Sequence, residues 1–345
     1  MKKHKICKIL LVILAIFLCV AFYELLGICV AYKKQPEVSN TTKKETKNGS
    51  WNECSENTER AVIIEKNPEA LLQRVRLIKN AKKEIILSTF AFQSDESGKL
   101  ILGALHDAAD RGVHIRLLVD GMESWIDMEG NPYFYGLSSH ENVEIKLYNK
   151  ANPLKPWKMM GRMHDKYLIA DGKRYILGGR NTYNYFLGDF PGHKNYDRDV
   201  LVVCDEPEKE NSVNQLSEYF ETIWEQEDSG YFHDNKKLAN RKSVKNAVLE
   251  LQNGYQKYFE ENKERICDTD YTDETFETEK IALVSNPIHT GSKEPVVWYR
   301  LGELMKNAKN RVKIHTPYII CNDMMYNRWE EIAENVSDFS IMTNS

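Results

Sequence analysis

The sequence predicts an α/β protein: a mixed or mostly parallel sheet flanked by helices, an amino-terminal transmembrane helix, and part of a second lobe that repeats the first. Three observations predict it. From residue 60 onward, short β-branched apolar runs alternate with segments of helical periodicity. Near the amino terminus, 24 consecutive residues hold a single charge. Leu77–Lys82 then recurs with one change as Leu304–Lys309, offset by 227 positions, and the strand-like run Ile85–Thr89 is matched at the same offset by Val312–Thr316.

Composition narrows the class. The 345 residues are 42% hydrophobic and 28% charged, which excludes a disordered or collagen-like chain. Net charge is −4. The first 34 residues carry six lysines and one acid, which leaves −9 on residues 35–345. An acidic body lacks the surplus of cations from which a general nucleic-acid binder draws its affinity, so no nucleic-acid partner is favoured.

Residues 9–32 are long and apolar enough to cross a bilayer. Lys2, Lys3, Lys5 and Lys8 precede them, and Lys33 and Lys34 follow. No Ala-x-Ala-like cleavage site is apparent, so the segment reads as an uncleaved single-pass anchor in the cell membrane (residues 1–34), with the body outside the cytoplasm. Residues 35–59 are rich in Asn, Thr, Lys, Glu and Ser and read as a polar linker. Cys7, Cys19 and Cys29 accompany the anchor, while Cys54, Cys204, Cys267 and Cys321 are scattered. Without a CxxC pair, no zinc site and no cofactor are expected, and buried free thiols are the default over one disulfide.

The first lobe is expected over residues 60–205. Ala61–Glu65 reads as a strand. Asn67-Pro68-Glu69 signals a helix start, with Asn67 as N-cap, and the helix runs to about Lys82. Glu84–Phe92, Val113–Val119 and Val143–Tyr148 read as strands, and 97–111 as a helix that Gly112 ends. Residues 206–280 form a helical connector, with apolar residues at helical spacing from Val213 to Trp224 and from Val244 to Phe259. Residues 281–345 read as an incomplete second lobe, with a helix at Met324–Asn335 and a strand at Phe339–Thr343.

Chemistry concentrates in Met163–Asn181, MHDKYLIADGKRYILGGRN. His164 and Lys166 are two apart on a strand-like run, so both emerge on one face. Asp171-Gly172 is a hairpin turn signal, and Lys173–Leu177 returns as the partner strand. Gly178-Gly179 permits close backbone approach before Arg180 and Asn181. An imidazole can attack phosphorus and leave later. An ammonium and an amide can hold the non-bridging oxygens as charge builds on them. The set suits a phosphodiester and needs no metal. His106, His114, His140, His193, His233, His289 and His315 have no motif context and read as structural.

This stretch resembles the phospholipase D superfamily, whose HxKxxxxDxxxxxxGxxN signature it matches at His164, Lys166, Asp171, Gly178 and Asn181. The GGRN ending, the aromatic-rich segment after it and Asp197–Val202 look like the cardiolipin-synthase branch. The resemblance implies that His164 forms a phosphohistidine, or acts as general acid if a second site attacks. It implies that Lys166 and Asn181 bind the phosphate oxygens, with Arg180 either a further phosphate ligand or a structural ion-pair former. Asp171 becomes a hydrogen-bonding residue of the catalytic hairpin. Asp199, or alternatively Asp197, becomes the carboxylate that orients the histidine.

Two-lobed members carry two such motifs, and this sequence holds one. The second is expected from a missing carboxy-terminal part, a separate polypeptide or a homodimer, the first being favoured. The resulting expectation is a membrane-anchored phosphatidyltransferase or phosphodiesterase of cardiolipin-synthase type, acting on a phosphatidylglycerol-like phospholipid. A nuclease, or an inactive membrane-tethered scaffold, is the alternative.

Overall fold

The structure, a computed structural model, describes residues 2–49, 59–207, 211–233 and 235–344. It divides into two units: Met1–Lys33 with Cys54–Leu283, and Lys34–Glu53 with Val284–Ser345. Residues 50–58 of the expected linker, Cys54 among them, lie outside the described residues.

The first unit begins with a long helix, α1 (Lys2–Tyr32). Lys5–Tyr32 is long and apolar enough to cross a membrane, and its most apolar part is not buried within the protein. In the second unit, α2 (Asn40–Asn48) follows, capped by the Ser39 hydroxyl. The expected linker therefore contains a helix, because Thr42 donates to Glu294 and Arg300 pairs with Glu45.

The main sheet is built from β1 (Arg60–Ile64), α3 (Asn67–Asn80), β2 (Glu84–Thr89), α4 (Glu96–Asp110), β3 (His114–Asp120), α5 (Gly121–Asp127), α6 (Pro132–Ser138) and β4 (Val143–Tyr148). The chain continues through β5 (Tyr167–Ala170), β6 (Arg174–Gly178), β7 (Asp199–Val203), α7 (Ser212–Trp224), β8 (Ser229–Tyr231), α8 (Lys242–Glu261), α9 (Lys263–Cys267) and β9 (Phe276–Glu277). The nine strands lie in the order β8-β4-β3-β2-β5-β6-β7-β1-β9. Only β2–β3–β4 pair in parallel, through helical crossovers. The other pairs are antiparallel, so the sheet is mixed rather than mostly parallel. The reason is local: Asp171 takes φ 55° and Gly172 φ 62°, which folds β5 straight back on β6 as a hairpin.

Both faces of the sheet are covered. On one, Ile85, Leu87, Leu117 and Val119 pack with Leu71, Val75, Leu102, Leu105 and Leu251 from α3, α4 and α8. On the other, the Arg116 guanidinium lies 4.8 Å from the Phe220 ring centroid and bonds Glu221, which seats α7. Gly103 lets α4 touch α8, because a Cβ there would press on the Leu251 carbonyl.

The second unit also contains α10 (Val296–Lys306), β10 (Arg311–His315), α11 (Asp323–Asn335) and β11 (Asp338–Met342). Here β10 and β11 pair in parallel, as β2 and β3 do, and both copies of the repeated sequence fold as helix then strand. Val312, Ile332 and Val336 form its small core.

Candidate active site

The sheet brings five chain segments to one end. The pairings put the carboxyl ends of β2 and β3, the amino end of β5, the carboxyl end of β6 and the amino end of β7 on that edge. His164 and Lys166 stand just ahead of β5, with the Lys166 carbonyl accepting from the Gly178 amide at 3.1 Å. Alternation sends Asp165 the other way, where its carboxylate accepts from the Tyr219 hydroxyl at 2.7 Å.

Lys166 is the group that defines the site. It is 6% exposed. Its Nζ donates to the His164 carbonyl at 2.8 Å and lies 5.1 Å from the Phe90 ring centroid. Among the described residues no carboxylate lies within 4.0 Å of it. Burial strips the ammonium of water and lowers its pKa to about 8, against the opposing pull of Asp165, Asp197 and Asp120. A buried cation that keeps free N–H bonds is poised to take an anion.

His164 stacks on Phe90, ring centroids 4.5 Å apart. Neither ring nitrogen has a hydrogen-bond partner among the described residues. Loss of hydration against the protein, then the positive charge of Lys166, holds the imidazole below its ordinary pKa. Its lone pair is therefore available at neutral pH. Asn181 completes the group. Its Oδ1 accepts from the Ala91 amide at 3.2 Å, which fixes the amide's orientation and leaves Nδ2 without a protein partner among the described residues.

Asp171, Arg180 and Asp199 do not join them: Asp171 and Arg180 take the structural roles open to them, and Asp199 faces Arg74 and Arg180 rather than His164. Asp171 lies at the far end of β5. Its carboxylate accepts from the Lys82, Lys83 and Glu84 amides at 2.7–3.2 Å and so ties the hairpin to β2. Arg180 is 1% exposed, and all its nitrogens are engaged. Nε donates to Asn67 Oδ1 at 3.1 Å, and the other two donate to the Ile64 and Glu65 carbonyls at 3.1 and 2.7 Å. Asn67 therefore serves Arg180 rather than capping α3, whose N-cap is Lys66. Asp199 Oδ2 bridges Arg74 at 2.9 Å and Arg180 at 3.2 Å. Its Oδ1 is buried without a partner, beside Gly178, where a Cβ would collide with it. Neither Asp199 nor Asp197 is hydrogen-bonded to His164.

Three further residues shape the site. Phe90 is a common floor, with the Arg162 guanidinium 5.0 Å from its centroid besides His164 and Lys166. Asp120 ends β3, caps α5 and accepts from Arg162 Nε at 2.9 Å and the Met163 amide at 3.0 Å. That pair fixes the backbone leading into His164. Arg162 could have been found from sequence, since it shares the period-2 face of His164 and Lys166. Asp120 carried a weaker signal, an acid at the carboxyl end of a parallel strand.

Comparisons with known proteins bear on the lobe that carries these residues. The sequence profile described as "Cardiolipin synthase, PLD-like domain" matches residues 74–224, from α3 to the end of α7. This lobe is a phospholipase D-like domain. An uncharacterized protein of Helicobacter pylori is 28% identical over 313 residues, 83% of this chain and 59% of that protein. Cardiolipin synthase C of Escherichia coli is 29% identical over 171 residues, covering 46% of this chain and 34% of the synthase. The chain thus spans about 59% of the length of the Helicobacter relative. Among solved structures, phosphatidylserine synthase of Haemophilus influenzae superposes with a TM-score of 0.59 at 15% identity, over 88% of this chain and 66% of that one. That likeness is one of fold.

Proposed function

We propose that the protein is a membrane-anchored phosphatidyltransferase or phosphodiesterase of cardiolipin-synthase type, held at the bilayer by α1. The observation that carries this reading is the convergence of His164, the buried Lys166 ammonium and the free Asn181 Nδ2 on one end of the sheet. Lys166 and Asn181 hold the non-bridging oxygens of a lipid phosphodiester. A ring nitrogen of His164 attacks phosphorus, and the bond to one glyceryl oxygen breaks with its electron pair. The hydroxyl of an acceptor lipid, or water, then gives its proton to the histidine that protonated the leaving oxygen, attacks the phosphohistidine and expels the imidazole. Holding phosphate oxygens on preset, buried donors stabilises charge that grows in the transition state.

The proton for the leaving glyceryl oxygen comes, in this proposal, from a histidine in a second motif on further polypeptide, a separate chain or a second copy. The pairing of β10 with β11 and the repeated helix–strand sequence support reading residues 281–345 as part of a second such lobe. The test is brief incubation of the full chain with phosphatidylglycerol vesicles, a rapid quench in denaturant at neutral to mildly alkaline pH, and peptide mass spectrometry. A phosphatidyl adduct on His164, absent from His164→Asn, is expected. No adduct, with no cardiolipin or phosphatidic acid formed, would sink the proposal.

A further inference from the structure

Of the segment between β4 and His164, only Arg162 and Met163 have been given a part in the site above. Residues 149–163 read NKANPLKPWKMMGRM, four cations and no acid, in a body that is otherwise acidic. Leu154 is 77%, Met160 58% and Trp157 45% exposed. Beside them on α5, Trp125 and Ile126 are 67% and 71% exposed. A groove of about 470 Å³ lined by Trp125, Leu147, Ala151 and Pro153 joins the two elements into one surface. Apolar groups gathered this way on a water-facing loop mark an interaction surface.

What covers this surface follows from what already touches it. The Tyr23 hydroxyl of α1 donates to the Leu154 carbonyl at 3.0 Å. Gly27 lies so close to Pro156 that a Cβ would collide with the proline ring. At about 1.5 Å per residue, these contacts fall about 21–27 Å along α1 from Ile9. In a hydrocarbon layer about 30 Å thick, that is its last third, next to the headgroups. Aromatic rings and lysines concentrate at that depth, the rings at the boundary and the cations on anionic phosphates.

We infer that residues 150–160, with Trp125 and Ile126, form a bilayer-contacting surface that dips into the headgroup boundary of an anionic membrane beside α1. Of its four cations, Lys158 is paired with Asp228 at 2.6 Å and Arg162 with Asp120 and Glu123, so Lys150 and Lys155 supply the attraction to anionic headgroups beside the apolar groups. The loop runs directly into Arg162 and His164, so a lipid phosphate reaches the site from the membrane rather than through water. The inference rests on reading α1 as an anchor and on no step of the chemistry.

The test uses the full chain in phosphatidylglycerol–phosphatidylcholine vesicles with a trace of phosphatidylcholine carrying an acyl-chain diazirine. After irradiation and digestion, adducts are mapped by mass spectrometry. Adducts are expected on residues 154–160 as well as on α1. The double variant Leu154→Glu with Lys155→Glu should lower the loop adducts about fivefold or more. Its α1 adducts and melting temperature should be unchanged. His164→Asn should leave all adducts in place, which separates this surface from the catalytic reading. Adducts on α1 with none on the loop would overturn the inference and leave the anchor standing. Adducts on neither would overturn both, and a loop that cross-links to a second copy in place of lipid would assign the surface to protein contact.

Discussion

Replacing Lys166 by Met should stabilise the protein while abolishing its chemistry. Moving the ammonium from 10.5 to about 8 means that the folded state disfavours the charged form by about 3 kcal/mol at neutral pH. Methionine has similar length and no charge to desolvate. It forfeits the bond to the His164 carbonyl, worth about 1–2 kcal/mol. The net gain is about 1–2 kcal/mol at pH 7, or roughly 3–6 °C in melting temperature for a lobe of this size. The pH dependence carries the sign. Because the folded pKa is depressed, the unfolded chain binds the extra proton between about 8 and 10.5, and wild-type stability rises with pH across that window. The advantage of Lys166→Met should therefore shrink from pH 8, vanish about 1–1.5 units higher, and turn into a deficit of about 1–2 kcal/mol by pH 10.5. Thermal melts of both proteins in the same detergent from pH 6 to 10.5 measure it, and His164 adduct formation should fall at least about 10³-fold. A variant less stable than wild type at pH 7, by an amount independent of pH, would refute the claim that Lys166 is a cation kept at a cost for binding an anion.

Adduct formation on His164 should follow a bell-shaped pH profile. Its acid limb lies below the ordinary imidazole value and its alkaline limb near pH 8, where Lys166 loses its charge. Lys166→Arg should move the alkaline limb above pH 10, and a limb that stays near 8 would assign it to another group. Asp171→Ala removes the acceptor of three strand amides, so melting should fall by the equivalent of about 2 kcal/mol with the adduct rate per folded molecule unchanged. A rate loss without a stability loss would restore Asp171 to the site. Asp199→Asn leaves Arg74 and Arg180 buried together with less compensation, and should cost about 3–5 kcal/mol in denaturant unfolding.

How the site could be read in advance differs residue by residue. The period-2 spacing of His164 and Lys166, the Asp-Gly turn and the apolar return strand are local features, and local sterics alone make them a hairpin with both side chains on one face. The antiparallel remainder of the sheet was not legible, because a pairing partner lies far along the chain and either orientation satisfies the same apolar pattern. The strand predicted over Glu84–Phe92 ends at Thr89 for a related reason. Phe90 leaves the ladder after Thr89 to become the floor under His164.

Sequence by itself determined the α/β alternation, the long apolar helix and the His164–Lys166 pair with Asn181, since each is written in spacing and composition over a few residues. Tertiary structure decided what the charged residues around that pair do. Arg180 is a brace rather than a ligand because Asn67, Ile64, Glu65 and Asp199 meet its guanidinium, and Asp171 is a strand tie because Lys82, Lys83 and Glu84 meet its carboxylate. A titratable group takes its role from what lies within about 3 Å of it. Those neighbours are chosen by the folding of distant segments, not by the spacing of a motif.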